Sequence, residues 1–295
     1  MSDRSLAASI VAVFVLASAC VTPVQYLAPP DTPVALHPPA RDLAGVPVDQ
    51  FLVRAKVTAE DMPLTTTVFR HASQRAKESV VSLFVKGHNP ARLYPLGLRI
   101  PGTSFGVKLP GQALGSGFFI HEDGWIITND HVVRYADEVW ALRNGETKPE
   151  VCTVVARDPV YDLALLKING SGGRKYLPMP MGETRDVEVG EVVLAVGNPL
   201  GLGFTVTKGI VSQVDRNLHG VPPEEGREAS YIQTDATIAP GSSGGPLVTL
   251  TGAWIGVNTL GSAVTQGLNF AVPARQVAEF LSAVSTGSGE WVDED

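Results

Sequence analysis

Pro240-Gly241-Ser242-Ser243-Gly244-Gly245-Pro246-Leu247 places a serine among glycines directly before an apolar segment. A loop of such small residues lets backbone N–H groups converge without a Cβ in the way. Two stretches earlier in the chain answer it. In Ile126-Ile127-Thr128-Asn129-Asp130-His131-Val132-Val133 a strand runs out into a histidine and a helical turn. In Tyr161-Asp162-Leu163-Ala164-Leu165-Leu166-Lys167-Ile168 an acid stands directly before an apolar strand. Taken singly, His131 reads as a structural or surface group, Asp162 as a turn or cap residue, and Ser243 as a loop serine. Together they supply the hydroxyl, imidazole and carboxylate that acyl transfer needs as nucleophile, base and orienting acid. The oxyanion formed on attack needs converging donors, and the amides of Gly241 and Ser243 are the expected pair.

Outward from these fragments, short apolar runs are split by turn residues. They cover Val80–Val85, Gly117–Ile120, Trp125–Thr128, Val139–Leu142, Val151–Ala156 and Leu163–Ile168, then Glu191–Val196, Phe204–Val214, Ser230–Thr234, Leu247–Leu250, Ala253–Thr259 and Leu268–Val272. Short strands at near-regular spacing predict an all-β sandwich or barrel, not a βαβ layout. One short helix is expected between Leu64 and Glu78, on a face of Val68, Ala72, Arg75 and Ala76. A last helix follows Pro273 through Val277, Phe280 and Leu281. The folded body thus spans 64–284, and 285–295 reads as an acidic tail. The 30 Gly and 22 Pro among 295 residues fit a turn-rich β protein. A formal charge of −7 provides no field to hold polyanions, so no nucleic-acid partner is expected.

Leu6–Ala17 is apolar and has the length of a signal-peptide core, short of the roughly 20 residues of a spanning helix. Ala17-Ser18-Ala19 gives a small-x-small cleavage pattern, so residues 1–19 read as a signal peptide. Leu16-Ala17-Ser18-Ala19-Cys20 resembles a bacterial lipoprotein box, although Leu16 stands one place further from the cysteine than usual. Lipidation of Cys20, plain secretion after Ala19 and a retained anchor all stay open, and each exports the protein. Residues 20–63, rich in proline from Pro23 to Pro63, read as a stiff tether. With only Cys20 and Cys152, neither a disulfide scaffold nor a cysteine zinc site is expected. Cys152, in a Val-rich strand, reads as a buried thiol.

The three decisive fragments resemble the chymotrypsin-type (trypsin-like) serine proteases, and most closely their HtrA/DegP-like branch. The likeness is carried by Gly115-Ser116-Gly117-Phe118 with Thr128–Val133, by Asp162–Lys167, and by Gln233-Thr234-Asp235-Ala236 leading into Gly241–Leu247. Gly197-Asn198-Pro199 and Thr205–Ser212 look like that branch too, so the resemblance covers about Val80 to Arg275. It implies two six-stranded antiparallel β-barrels with the cleft between them, His131 and Asp162 coming from the first and Ser243 from the second. It implies a serine endopeptidase of unfolded or misfolded envelope proteins, needing no cofactor or metal. The alternative it allows is a holdase or scaffold of the same fold with a resting, inactive oxyanion loop. An envelope or periplasmic location goes with the exported reading, while a homo-oligomer stays open.

The chain departs from the family pattern at several points. Ser242 stands where HtrA-like sequences usually carry asparagine and trypsin-like ones aspartate, so activation by a freed amino terminus is not expected. Thr237 stands where trypsin-like enzymes place the acid that receives Lys or Arg. By the HtrA-like alignment Ile238 walls the specificity pocket and favours small or medium aliphatic side chains. No PDZ-like module is read after Val284. The apolar stretch His88–Gln112 occupies the place of a long regulatory loop, as an oligomer contact or as packing on the barrel. Gly197–Gly203 lacks the spacing of a nucleotide loop, and Asp123-Gly124 reads as a turn, which argues against a metal at His121-Glu122-Asp123.

Overall fold

A computed structural model of the chain describes residues 35–36, 43–55, 65–87, 113–170, 172–182, 187–198, 203–217, 229–261, 267–288 and 290–291. The expected signal peptide, Cys20 and the 88–112 loop lie outside the described residues.

The first barrel is built from β2 (Val80–Lys86), β3 (Ala113–His121), β4 (Trp125–Thr128), β5 (Glu138–Arg143), β6 (Glu150–Asp158) and β7 (Leu163–Ile168). The antiparallel order β6-β5-β2-β3-β4-β7 closes through β6–β7 pairing, with Cys152 opposite Ile168. Before it, β1 (Ala35–Leu36) lies against β6, and β14 (Glu290–Trp291) lies parallel to β1. The second barrel is β8 (Val192–Gly197), β9 (Thr205–Arg216), β10 (Tyr231–Thr234), β11 (Pro246–Thr249), β12 (Trp254–Gly261) and β13 (Asn269–Pro273). Its closed order is β10-β13-β12-β11-β8-β9. The expected pair of six-stranded antiparallel barrels is therefore what the chain forms.

Successive strand residues face opposite sides, and here both sides are covered. Phe119, Ile126, Leu83 and Leu166 fill the first barrel, whereas Val193, Val211, Leu247 and Ile255 fill the second. Phe118, Ile120, Ile127 and Leu165 face the other way and join Leu194, Val196, Trp254 and Val257 in a core between the barrels. Phe118 and Trp254 meet there with ring centroids 5.2 Å apart. Double-sided burial explains why β4 and β7 read as almost unbroken apolar runs.

Helix α1 (Thr66–Ser79) buries Val68, Ala72, Ala76 and Ser79, one face at helical spacing; Arg75, expected on that face, is exposed. The one-turn helix α2 (Asp130–Val133) carries His131. Helix α3 (Ala274–Thr286) sets Val277, Phe280, Leu281 and Val284 into the shared core. Residues 43–55, inside the expected tether, are instead folded: Leu43, Phe51 and Leu52 are buried. Phe51 packs edge-on to Trp125, and Gly45 N–H donates to the Ser285 carbonyl. Three large apolar groups outweigh the proline signal there. The helix likewise runs two residues into the expected tail.

Candidate active site

His131 and Asp162 come together at one rim of the first barrel. The α2 turn is anchored from below by Asp130, fully buried between Arg134 Nε at 2.8 Å and Arg157 Nε at 2.7 Å. Asp162 sits just before β7 with φ of 54°, a left-handed conformation uncommon outside glycine but tolerated by aspartate. Asn129 Nδ2 donates to the Asp162 carbonyl at 2.9 Å and holds that turn. The Asp162 carboxylate thus faces His131, with Nδ1 2.8 Å from Oδ2 and 3.0 Å from Oδ1. The His131 backbone N–H adds a bond to Oδ1 at 2.9 Å.

The second barrel reaches the same carboxylate through Thr259 on β12, whose hydroxyl donates to Asp162 Oδ2 at 2.5 Å. Ser243 Oγ donates to the carbonyl of that same Thr259 at 3.3 Å. One residue therefore links the acid to the serine, and the hydroxyl points along β12. Thr259 had no signal in local sequence. Its cue is the β11–β12 ladder: extending the Pro246–Val257 register two residues sets Thr259 beside Gly244.

Charge on the pair follows from these contacts. Desolvation pushes the Asp162 pKa up, but the His131 charge and hydrogen bonds from His131 and Thr259 outweigh it and hold the carboxyl below its usual range. Desolvation pulls the imidazole down, while the Asp162 charge and hydrogen bond outweigh it, so the net shift of His131 is upward. Asp162 is the anion at neutral pH and favours the Nδ1–H tautomer, which leaves Nε2 as the unprotonated ring nitrogen.

The loop before β11 turns through Gly241 at φ 95° and Gly244 at φ 85°. A Cβ on Gly244 would lie 2.1 Å from the Ser116 carbonyl and 2.2 Å from Thr128 Oγ1, so only glycine fits where this loop presses on the first barrel. Among the described residues, neither the Gly241 nor the Ser243 amide donates to another group, leaving both N–H groups for a ligand oxygen. Of the expected pocket residues, Ile238 is buried among Val193, Val211 and Ile232, and Thr237 is exposed with its carbonyl bound by Thr207 Oγ1 at 2.7 Å. Cys152 is buried, and burial pushes its thiol up to about 12, which makes it inert.

Residues 115–257 match the family model described as a trypsin-like peptidase domain. Among curated proteins, a probable periplasmic serine endoprotease DegP-like of Ectopseudomonas mendocina is 40% identical over 201 residues, which is 66% of this chain and 40% of that protein. The mitochondrial serine protease HTRA2 of Bos taurus is 46% identical over 171 residues, 57% of this chain and 35% of that one. The chain thus spans about two fifths of the length of such relatives. Among solved structures, the HtrA-type protease AlgW with decapeptide aligns with a TM-score of 0.57 and 33% identity, covering 73% of this chain and 67% of that one. The same protease with tripeptide gives a TM-score of 0.61 at 31% identity, covering 75% and 64%. A closed pair of barrels, a Ser-Gly-Gly loop at their seam and this likeness in sequence and fold have one reading: the chain belongs to the HtrA-type branch of the trypsin-like serine peptidases.

Proposed function

We propose that the chain is an exported serine endopeptidase that cuts unfolded or misfolded envelope polypeptides through an acyl-enzyme. The observation that carries this reading is the chain of contacts from His131 to Asp162 to Thr259 to Ser243 across the two barrels. Ser243 Oγ turns about its Cα–Cβ bond from the Thr259 carbonyl toward His131 Nε2, a rotamer change that substrate binding completes. Nε2 takes the hydroxyl proton as Oγ attacks the scissile carbonyl carbon. Asp162 stabilises the imidazolium so formed, and the Gly241 and Ser243 amides receive the oxyanion. The imidazolium then protonates the leaving amine, the C–N bond breaks, and an ester to Ser243 remains. Water enters, His131 takes its proton, and hydrolysis of the ester restores the serine.

The specificity pocket is assigned to Thr237 and Ile238. No acid stands at Thr237, and Asp235, two residues earlier, is engaged by the Ile210 N–H at 2.6 Å. A buried Lys or Arg side chain would lack a counter-charge, which favours aliphatic residues before the cut bond. Residues 1–19 are assigned as the signal peptide, 64–284, extended by the folded arm at 43–55 and by the helix end at Thr286, as the protease domain, and Cys20 as the attachment point of a lipid. The periplasmic naming of the relatives supports the exported location. Incubation of the purified chain with unfolded casein should yield peptides, and Ser243→Ala should yield none. Equal cleavage by both would end the serine-protease reading.

A further inference from the structure

Ser116 lies on β3 of the first barrel, is 0% exposed, and has no part in the chemistry above. Its hydroxyl donates to the Gly241 carbonyl at 2.7 Å and accepts from the Asn198 N–H at 2.9 Å. Its own N–H donates to the Ser243 carbonyl at 2.8 Å, and its carbonyl accepts from Thr128 Oγ1 at 2.7 Å. Both donors of one buried residue therefore end on the loop that presents the oxyanion amides. Asn198 carries the chain onward, donating from Nδ2 to Ser82 Oγ and accepting the Gly203 N–H at Oδ1, each at 2.5 Å.

We propose that Ser116 is the positioning residue of the oxyanion site, its hydroxyl locking the loop through the Gly241 carbonyl. The peptide group joining residues 241 and 242 links the two peptide groups that carry the donor amides, so free rotation about Gly241 and Ser242 would let the two N–H vectors diverge. Glycine at 241 gives that rotation little intrinsic resistance. A buried hydroxyl already committed to Asn198 can hold the carbonyl in one direction only. The lock originates on β3, which pairs with β4, the strand that leads into His131. It therefore aligns the oxyanion donors with the base as well as with the nucleophile. This inference rests on Ser243 acting as the nucleophile.

Ser116→Ala should lower kcat by about 10–100-fold, less than the roughly 10²–10³ that losing a whole donor costs, with KM nearly unchanged. A peptide ending in boro-valine separates positioning from general loosening. Its boron accepts an electron pair from Ser243 Oγ to form a B–O bond, the hydroxyl proton passes to His131, and a boron-bound oxygen enters the amide pair. The matching peptide isobutylamide lacks boron and fills only the groove. In Ser116→Ala the boronate should weaken in step with kcat/KM, the isobutylamide should bind as before, and Ser116→Cys should fall between. Should the alanine variant not fold, the cysteine variant, close in volume but a weaker donor, carries the same comparison. A folded variant that keeps boronate affinity within threefold, or loses both ligands equally, overturns the proposal. Failure of the unaltered chain to bind the boronate at all contradicts instead the proteolytic reading on which it stands.

Discussion

His131 stands half-open to the cleft at 39% exposure, yet its Nδ1 is bound by a carboxylate whose second partner belongs to the other barrel. That arrangement makes three measurements informative. Asp162→Asn should leave the fold intact and cut kcat by about 10⁴-fold, since the amide presents the wrong hydrogen-bond partner to the imidazole. On the proposed mechanism the base is neutral His131, whose pKa is raised from 6.5, so kcat/KM should fall as pH drops through a midpoint above that value. The Asn variant should shift this acid limb downward, and a rate profile across pH 5–9 checks both. Thr259→Val keeps the shape and removes a bond to a charged group, worth about 1.5–3 kcal/mol, so kcat should drop roughly 10–100-fold. His131, Asp162 and Ser243 were legible as a candidate site only jointly, through three strings that follow one another in the family's order. Thr259 and Ser116 were not, for their partners lie 97 and 125 residues away and neither type of residue is unusual on a strand.

Strands were legible where an apolar run met turn residues, and each expected run lies in or over an observed strand. What escaped was short or long-range. The two-residue strands β1 and β14 have too few positions to show a period, and they pair only because the chain returns after α3. The folded arm at 43–55 hid behind its prolines, its Leu43, Phe51 and Leu52 being isolated in sequence. At this scale the glycine loop is the most exacting element. Gly244→Ala would bring a Cβ against the Ser116 carbonyl at a φ that disfavours L-residues. Such overpacking costs about 1–3 kcal/mol, so thermal unfolding should begin roughly 2–12 °C lower and activity should be lost with it.

The two barrels form the site only by packing on each other, and the shared core sets how firmly they do so. Phe118 from one and Trp254 from the other are both fully buried in that core, along with Phe280 of α3. Phe118→Ala should cost about 3–5 kcal/mol and lower Tm by roughly 6–20 °C, still in a single calorimetric transition because neither barrel has its outer face covered without the other. Two separated transitions would show the barrels to be independent. Sequence disclosed the barrels' strands but not their seam, since contact between Phe118 and Trp254 spans most of the domain. The central claim is that imidazole, carboxylate and hydroxyl act across this seam as one catalytic unit. Intact-mass measurement after treatment with a fluorophosphonate tests it most directly. A single adduct mapped to Ser243, formed rapidly in the unaltered chain and slowly or not at all in His131→Ala and Asp162→Asn, is the predicted result. Labelling of Ser243 at the same rate in all three proteins, or an adduct elsewhere, would contradict it.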